Sequence, residues 1–235
     1  MRIIAGEFRG RKLLGPESEV TRPITDRVKQ SLFDILIPNI PGARVYDCFA
    51  GTGSMGLECL SRGAEHVIFF EADRSAAARL RRNIETVGVK DRSTVVAGDL
   101  FKWFDLTPCP GTPGEGRGDG DFECRMIVDE QNHPHPTEPE LKADRERGAD
   151  KNRIDLIFLD PPYRFLQEKP ELLLRLAGQF RDHLAPTGVV IFRHDAEDDL
   201  PLPPLHVADT RNYGSMTLQF LILPTTNNPQ PTTDQ

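Results

Sequence analysis

Arg44-Val45-Tyr46-Asp47 runs directly into Cys48-Phe49-Ala50-Gly51-Thr52-Gly53-Ser54-Met55-Gly56, and this stretch decides the fold. Its first four residues read as a strand, and Met55 to Arg62 as a helix. The glycines between them let the chain turn sharply at the strand's carboxyl end and approach a ligand closely, while the helix start offers free amides. Gly51, Gly53 and Gly56 also satisfy the dinucleotide-binding spacing. A turn without a ligand is the plainer alternative. The flanking strand and helix argue against it.

On either side of this stretch, strands and helices alternate. His66 to Glu71 is a second strand, Ala76 to Val87 a helix, and Thr94 to Ala97 a third strand. Asp155 to Asp160 carries Leu156-Ile157-Phe158-Leu159, the apolar run of a parallel strand buried on both faces. Leu172 to Leu184 reads as a helix and Gly188 to Arg193 as a strand. Ser215 to Ile222 closes the chain with an alternation that suggests an antiparallel strand. This pattern predicts right-handed crossovers and an α/β, doubly wound sheet.

Three segments flank or interrupt that domain, expected over residues 44–223. Residues 1–43 form an N-terminal arm, with a short strand pattern at Arg2 to Gly6, a basic turn at Arg9-Gly10-Arg11-Lys12, and a helix from Thr25-Asp26. There a hydroxyl caps free amides and an acid meets the positive helix end. Val28, Leu32, Ile35 and Leu36 recur as its expected buried face, and Pro38 ends it. Residues 105–152 are acidic, rich in Pro and Gly, and expected to be a flexible surface insertion. Residues 224–235 read as a disordered tail.

The formal charge of −7 argues at first against a nucleic-acid partner, but the distribution of charge along the chain points the other way. The segment 105–152 holds 12 acidic and 6 basic residues, whereas the first 44 residues hold 8 basic and 5 acidic. One surface can therefore be basic on an acidic chain. No apolar run is long enough to span a membrane, and none at the N-terminus suits a signal peptide. Cys48, Cys59, Cys109 and Cys124 follow no metal-ligand spacing, and His133 and His135 with Cys124 fit no standard site. A cytoplasmic protein without metal and with reduced thiols is expected.

The glycine turn alone is compatible with a nicotinamide cofactor or with S-adenosylmethionine. Glu71, ending the second strand, would accept from ribose hydroxyls in either case. Asp47 tilts the reading to S-adenosylmethionine, because a carboxylate there can bind the cationic amino group of a methionine moiety. Asp99 could accept from the adenine amino group or cap the following turn. Phe49, Ala50, Gly51, Thr52, Gly53, Ser54, Ala72 and Leu100 complete the expected cofactor site.

Asp160-Pro161-Pro162-Tyr163 then follows the fourth strand, at the sheet end where ligands bind in such folds. Prolines lack amide hydrogens and fix φ, so they present carbonyl oxygens in a set geometry. With Asp160 they suit an exocyclic amine, whose nitrogen they would draw towards a nucleophilic form. The carboxylate also stabilises charge developing on that nitrogen. Tyr163 offers a face for a base, a contact worth about 1–3 kcal/mol. An ordinary proline turn would explain the prolines, but not the acid, the aromatic ring and the glycine turn together. A nicotinamide enzyme leaves this loop unexplained, and a non-catalytic RNA-binding protein would not need it.

The chain resembles the bacterial 16S ribosomal RNA guanine-N2 methyltransferases of the RsmD type. The resemblance rests on Arg2 to Gly6 with Arg9-Gly10-Arg11, Arg22-Pro23-Ile24-Thr25-Asp26-Arg27-Val28, Asp47 to Gly56, Phe70 to Arg74, and Phe158 to Tyr163. It implies a Rossmann-like class I S-adenosylmethionine-dependent methyltransferase fold, with a mostly parallel seven-stranded sheet and an antiparallel final strand. It also implies action on ribosomal RNA, in the 30S subunit or an assembly intermediate; a monomer is expected. Arg22, Thr25, Asp26 and Arg27 would lie at the site, Thr25 beside the cofactor and Arg22 and Arg27 beside RNA. Arg9, Arg11 and Lys12 become candidate phosphate contacts. The Asp-Pro-Pro-Tyr loop is shared with adenine and cytosine amino-methyltransferases, so adenine N6 in DNA or RNA is the alternative target.

Overall fold

The structure, a computed structural model, describes residues 1–16, 24–106 and 153–224. The strands are β1 (Arg44–Cys48), β2 (His66–Glu71), β3 (Ser93–Ala97), β4 (Ile154–Leu159), β5 (Leu184–Asp195), β6 (His206–Tyr213) and β7 (Met216–Ile222). Among them lie α1 (Asp26–Ile35), α2 (Ser54–Ser61), α3 (Arg74–Val87), α4 (Leu100–Leu106), α5 (Arg164–Glu168) and α6 (Pro170–His183). The order across the seven-stranded sheet is β3-β2-β1-β4-β5-β7-β6. The first five strands pair in parallel, and β7 runs antiparallel to both its neighbours.

This order reverses direction between β1 and β4. The chain builds outward from β1 to β3, then returns to lay β4 on the other side of β1. Such a switch point opens a crevice beyond the carboxyl ends of the two strands. Cys48 pairs with Leu159, so the segments that follow β1 and β4 emerge side by side.

Strand side chains alternate between faces, and two cores result. Val45, Leu156, Phe158 and Ile191 pack with Leu32 and Phe33 of α1 and Leu57 of α2. Tyr46, Ile157, Leu159 and Phe192 pack on the opposite face with Phe104 of α4 and Phe180 of α6. Ile3, Phe8 and Leu13 of the arm join the first core.

Several local expectations change. Arg2 to Gly6 is not a strand: one antiparallel bridge joins Arg2 and Lys12 in a hairpin. Ile4 and Ala5 instead donate their amides to the Glu58 carboxylate, which removes them from any ladder. In α1 the Thr25 side chain caps the Val28 amide and Leu32 and Leu36 are buried as expected, but Lys29 and Phe33 are buried with them while Ile35 is 37% exposed. The face is rotated because Lys29 reaches a carboxylate inside the fold. β5 begins four residues before Gly188, directly after α6. The sequence pattern singles out no strand at β6, an edge with mostly exposed side chains that is formed by pairing with β7. Residues 107–152, 225–235 and Arg22 lie outside the described residues.

Candidate active site

The turn after β1 is held from three sides. Asp47, 2% exposed, accepts the Gly56 amide at 2.9 Å through Oδ2. Burial pushes its carboxyl up to about 8, and the nearby acids Asp160 and Glu71 add to the rise. Glu71 accepts the Gly51 amide at 2.7 Å and the Asp73 amide at 2.7 Å, one on each oxygen. Burial raises its carboxyl as well. From α3, the buried Asn83 donates to the Thr52 carbonyl at 2.9 Å and pairs with both backbone groups of Leu14. The Lys29 ammonium donates to the Ser54 hydroxyl at 3.1 Å, which brings α1 against the turn.

Phe49 sits at φ 62 in this turn, a left-handed conformation that costs a non-glycine residue about 1–3 kcal/mol. Its ring faces a cavity of about 230 Å³ whose lining includes Ala72, Asp99, Leu100, Phe101 and Phe165. Phe101 and Phe165 lie nearly parallel, with ring centres 6.0 Å apart, and Phe49 stands edge-on to both. Asp99 caps the first turn of α4 through Oδ1, which accepts from Phe101, and it also lines the cavity. Both readings of Asp99 are thus compatible in space. Aromatic walls with a carboxylate at the rim suit a flat, amine-bearing ring. At Gly51 (φ +56) a Cβ would meet nothing within 4 Å, so its absence leaves open room beside the turn. These residues fit an S-adenosylmethionine-like group.

Beyond β4, Pro161 is buried and the Pro162 carbonyl accepts the Phe165 amide at 2.8 Å, which starts α5. Tyr163 is half-buried. The Asp160 side chain is 29% exposed, and its Oδ1 accepts from Arg193 Nε at 2.6 Å. Burial raises the Asp160 carboxyl, and Arg193 opposes that rise. Arg193 also stands over the Tyr163 ring, its guanidinium carbon 5.9 Å from the ring centre. Sequence reasoning missed Arg193, Asn83, Phe101 and Phe165. Only the two phenylalanines left a signal, each a few residues beyond a motif acid.

The candidate RNA residues within the described range lie on the N-terminal hairpin and on α1. Arg9 and Lys12 are exposed on the hairpin and Arg27 on α1. Arg11 donates to the Thr86 and Val87 carbonyls at 2.8 and 3.1 Å, capping the end of α3. The Thr25 hydroxyl is engaged by the Val28 amide. Cys48 and Cys59 are buried free thiols held protonated by burial. Among the described residues, none group as three or more candidate metal ligands, and no helix is long and apolar enough to cross a membrane.

Comparison with known proteins adds the family. The model for the family described as "Conserved hypothetical protein 95" matches residues 1–108 and 130–222. The "Ribosomal RNA small subunit methyltransferase D" of Haemophilus influenzae is 34% identical over 202 residues, covering 86% of this chain and 81% of its own. The chain belongs to the RsmD family. The match spans both loops of the site. In solved structures, the yhhF protein of Escherichia coli superposes with a TM-score of 0.66 at 25% identity, over 95% of this chain and 97% of its own. An RNA methyltransferase from Salinibacter ruber, solved with S-adenosyl-L-homocysteine, shares the fold at a TM-score of 0.53 and 14% identity, over 91% and 99%. The family fold is thus the Rossmann-like class I methyltransferase sheet expected from the sequence.

Proposed function

We infer that this protein transfers the methyl group of S-adenosylmethionine to the exocyclic N2 amine of a guanine in small-subunit ribosomal RNA. The observation that carries the inference is the juxtaposition at the switch point: an amine-directed acidic loop after β4 lies beside a glycine turn after β1, in a chain of the RsmD family. Bound S-adenosylmethionine supplies an electrophilic methyl carbon on a sulfonium. The buried Asp47 carboxylate is the acceptor for the methionine ammonium, and Glu71 for the ribose hydroxyls. Phe49, Phe101 and Phe165, with Ala72, Asp99 and Leu100, receive the adenine.

Asp160 and the Pro161 carbonyl are the two acceptors for the target amine, since the Pro162 carbonyl is already used by Phe165. Holding both amine hydrogens aims the nitrogen lone pair and leaves a carboxylate beside the charge that grows on it. Tyr163 stacks on the base. Exposed Arg9, Lys12 and Arg27, with Arg22, take phosphates and set the RNA's position without reading its sequence. The substrate form is the 30S subunit or an assembly intermediate, met in the cytoplasm by a monomer. The test is transfer of labelled methyl to 30S subunits lacking the modification, followed by mapping of the nucleoside. N2-methylguanosine is expected; label on adenine would refute the base assignment.

A further inference from the structure

Arg193 lies in β5, the strand beside β4, and faces the site just past the last paired residues of the two strands, Leu159 and Phe192. Its side chain is 12% exposed, and Asp160, Tyr163 and Met216 are among the groups it reaches. Nε donates to Asp160 Oδ1 at 2.6 Å, the guanidinium stands over Tyr163, and Nη1 approaches the Met216 sulfur of β7 at 3.8 Å. Met216 is opposite Asp195 in the sheet, so the arginine is braced from β7.

This arrangement addresses a difficulty in the acidic loop. Asp160 shares the crevice with two other carboxylates, Asp47 at the end of β1 and Glu71 at the end of β2, and burial favours its protonated form. Lys29 of α1 is a cation that bears on Asp47, but it is itself paired with Glu58 at 2.9 Å. Among the described residues, Arg193 is the cation in direct contact with Asp160. A protonated Asp160 would keep one oxygen as a hydroxyl and lose its negative charge, which weakens both tasks assigned to it. A guanidinium stays charged throughout the accessible pH range and holds a carboxylate in a fixed plane.

We propose that Arg193 is a positioning residue for methyl transfer, which ties down Oδ1 of Asp160 so that Oδ2 faces the target amine, and which buttresses the Tyr163 ring against the incoming base. The proposal rests on the amino-methyltransferase reading above. In it, Arg193 touches neither the cofactor nor the amine. It acts through Asp160.

The test compares wild type, Arg193→Met and Arg193→Lys in single-turnover methyl transfer to unmodified 30S subunits across pH. Affinity for S-adenosylhomocysteine is measured alongside, and Asp160 titration is followed by carboxyl ¹³C NMR without substrate. In Arg193→Met, the rate at neutral pH should fall at least about tenfold, equivalent to about 1.4 kcal/mol. The acid limb of the rate profile and the Asp160 titration should both move upward by about one pH unit or more, so that alkaline pH restores part of the rate. Arg193→Lys should return the limb most of the way and the rate less, because a point charge lacks the planar fork. Cofactor affinity unchanged within a few fold shows that the variants are folded. An unmoved limb and titration would overturn the proposal, as would a loss confined to RNA affinity, which marks Arg193 as an RNA contact. Wild type that methylates no guanine would instead sink the functional reading, while the NMR titration would still report on the Asp160 pairing.

Discussion

Lys29 on α1 and Glu58 on α2 pair at 2.9 Å with side chains only 2% and 0% exposed. The same carboxylate accepts from Arg62 and from the amides of Ile4 and Ala5. One buried acid therefore ties α1, α2 and the N-terminal hairpin together. Lys29 continues the tie to Ser54 at the glycine turn.

Breaking this centre is expected to be costly. Glu58→Ala leaves a buried ammonium and two amides without their acceptor, and should lower stability by about 3–5 kcal/mol in urea unfolding. Combining it with Lys29→Met should recover much of the loss, since the stranded charge is gone. Burial pushes the Glu58 carboxyl up, but Lys29 and its other partners overcome this and hold it below the usual range. Its contribution is therefore present above the ordinary glutamate range and is lost as pH falls through the lowered value. Glu58→Gln should flatten that acid limb of stability; equal acid sensitivity in the variant would refute the assignment.

Asp47 has the opposite sign. Its folded value of about 8 lies above its ordinary 3.8, so stability is highest below that ordinary value and declines as pH rises towards 8. Asparagine can still accept the Gly56 amide without carrying a charge. Asp47→Asn should thus be more stable than wild type at alkaline pH, by roughly 2–5 kcal/mol. The same change should abolish measurable S-adenosylmethionine binding, because the ammonium loses its counter-charge. In wild type, S-adenosylhomocysteine titrated calorimetrically below pH ~8 should release a proton as the ligand ammonium ionises Asp47. No proton release would contradict this pairing.

Gly56 shows what the third glycine of the turn is for. A Cβ there would lie 2.3 Å from Phe69 Cε1 and 2.7 Å from Val67 Cγ1, so α2 can sit this close to β2 only without a side chain. Gly56→Ala should cost at least about 1–3 kcal/mol. Phe69→Leu should relieve part of that cost in the double variant, measured as a non-additive change in unfolding free energy.

How far the sequence was legible follows from the range over which each feature is determined. Asp47 to Gly56 and Asp160 to Tyr163 are local signals, a strand end and its turn, and His66 to Glu71 is apolar enough that its predicted and observed limits coincide. β6 has no such pattern: His206 to Tyr213 is largely polar and exposed, and only the ladder with β7 makes it a strand. Arg193 and Asp160 are 33 residues apart, and Asn83 and Leu14 are 69 apart. Such partners meet only after the sheet has formed. Lys29 misled for a related reason, since a lysine reads as solvent-facing until its buried acid, in another helix, is known.

Asp160 supplies the most direct test of the transfer site. Asp160→Ala removes one of the two acceptors and the charge beside the amine, and should reduce single-turnover methyl transfer by about 10²–10³-fold or more, the usual scale for a lost electrostatic donor or acceptor in a reaction site. Asp47 and the aromatic cavity are untouched by this change, so S-adenosylhomocysteine affinity should stay within a few fold. Asp160→Asn separates the two tasks. Its amide oxygen can still accept from the amine but carries no charge, so it should retain more activity than the alanine variant. Its rate should also lose the acid limb expected of wild type, because no carboxyl remains to protonate. Near-normal turnover in Asp160→Ala would show that the amine is oriented by other groups. An acid limb persisting unchanged in Asp160→Asn would assign that ionisation to another residue, with Glu71 the first to examine.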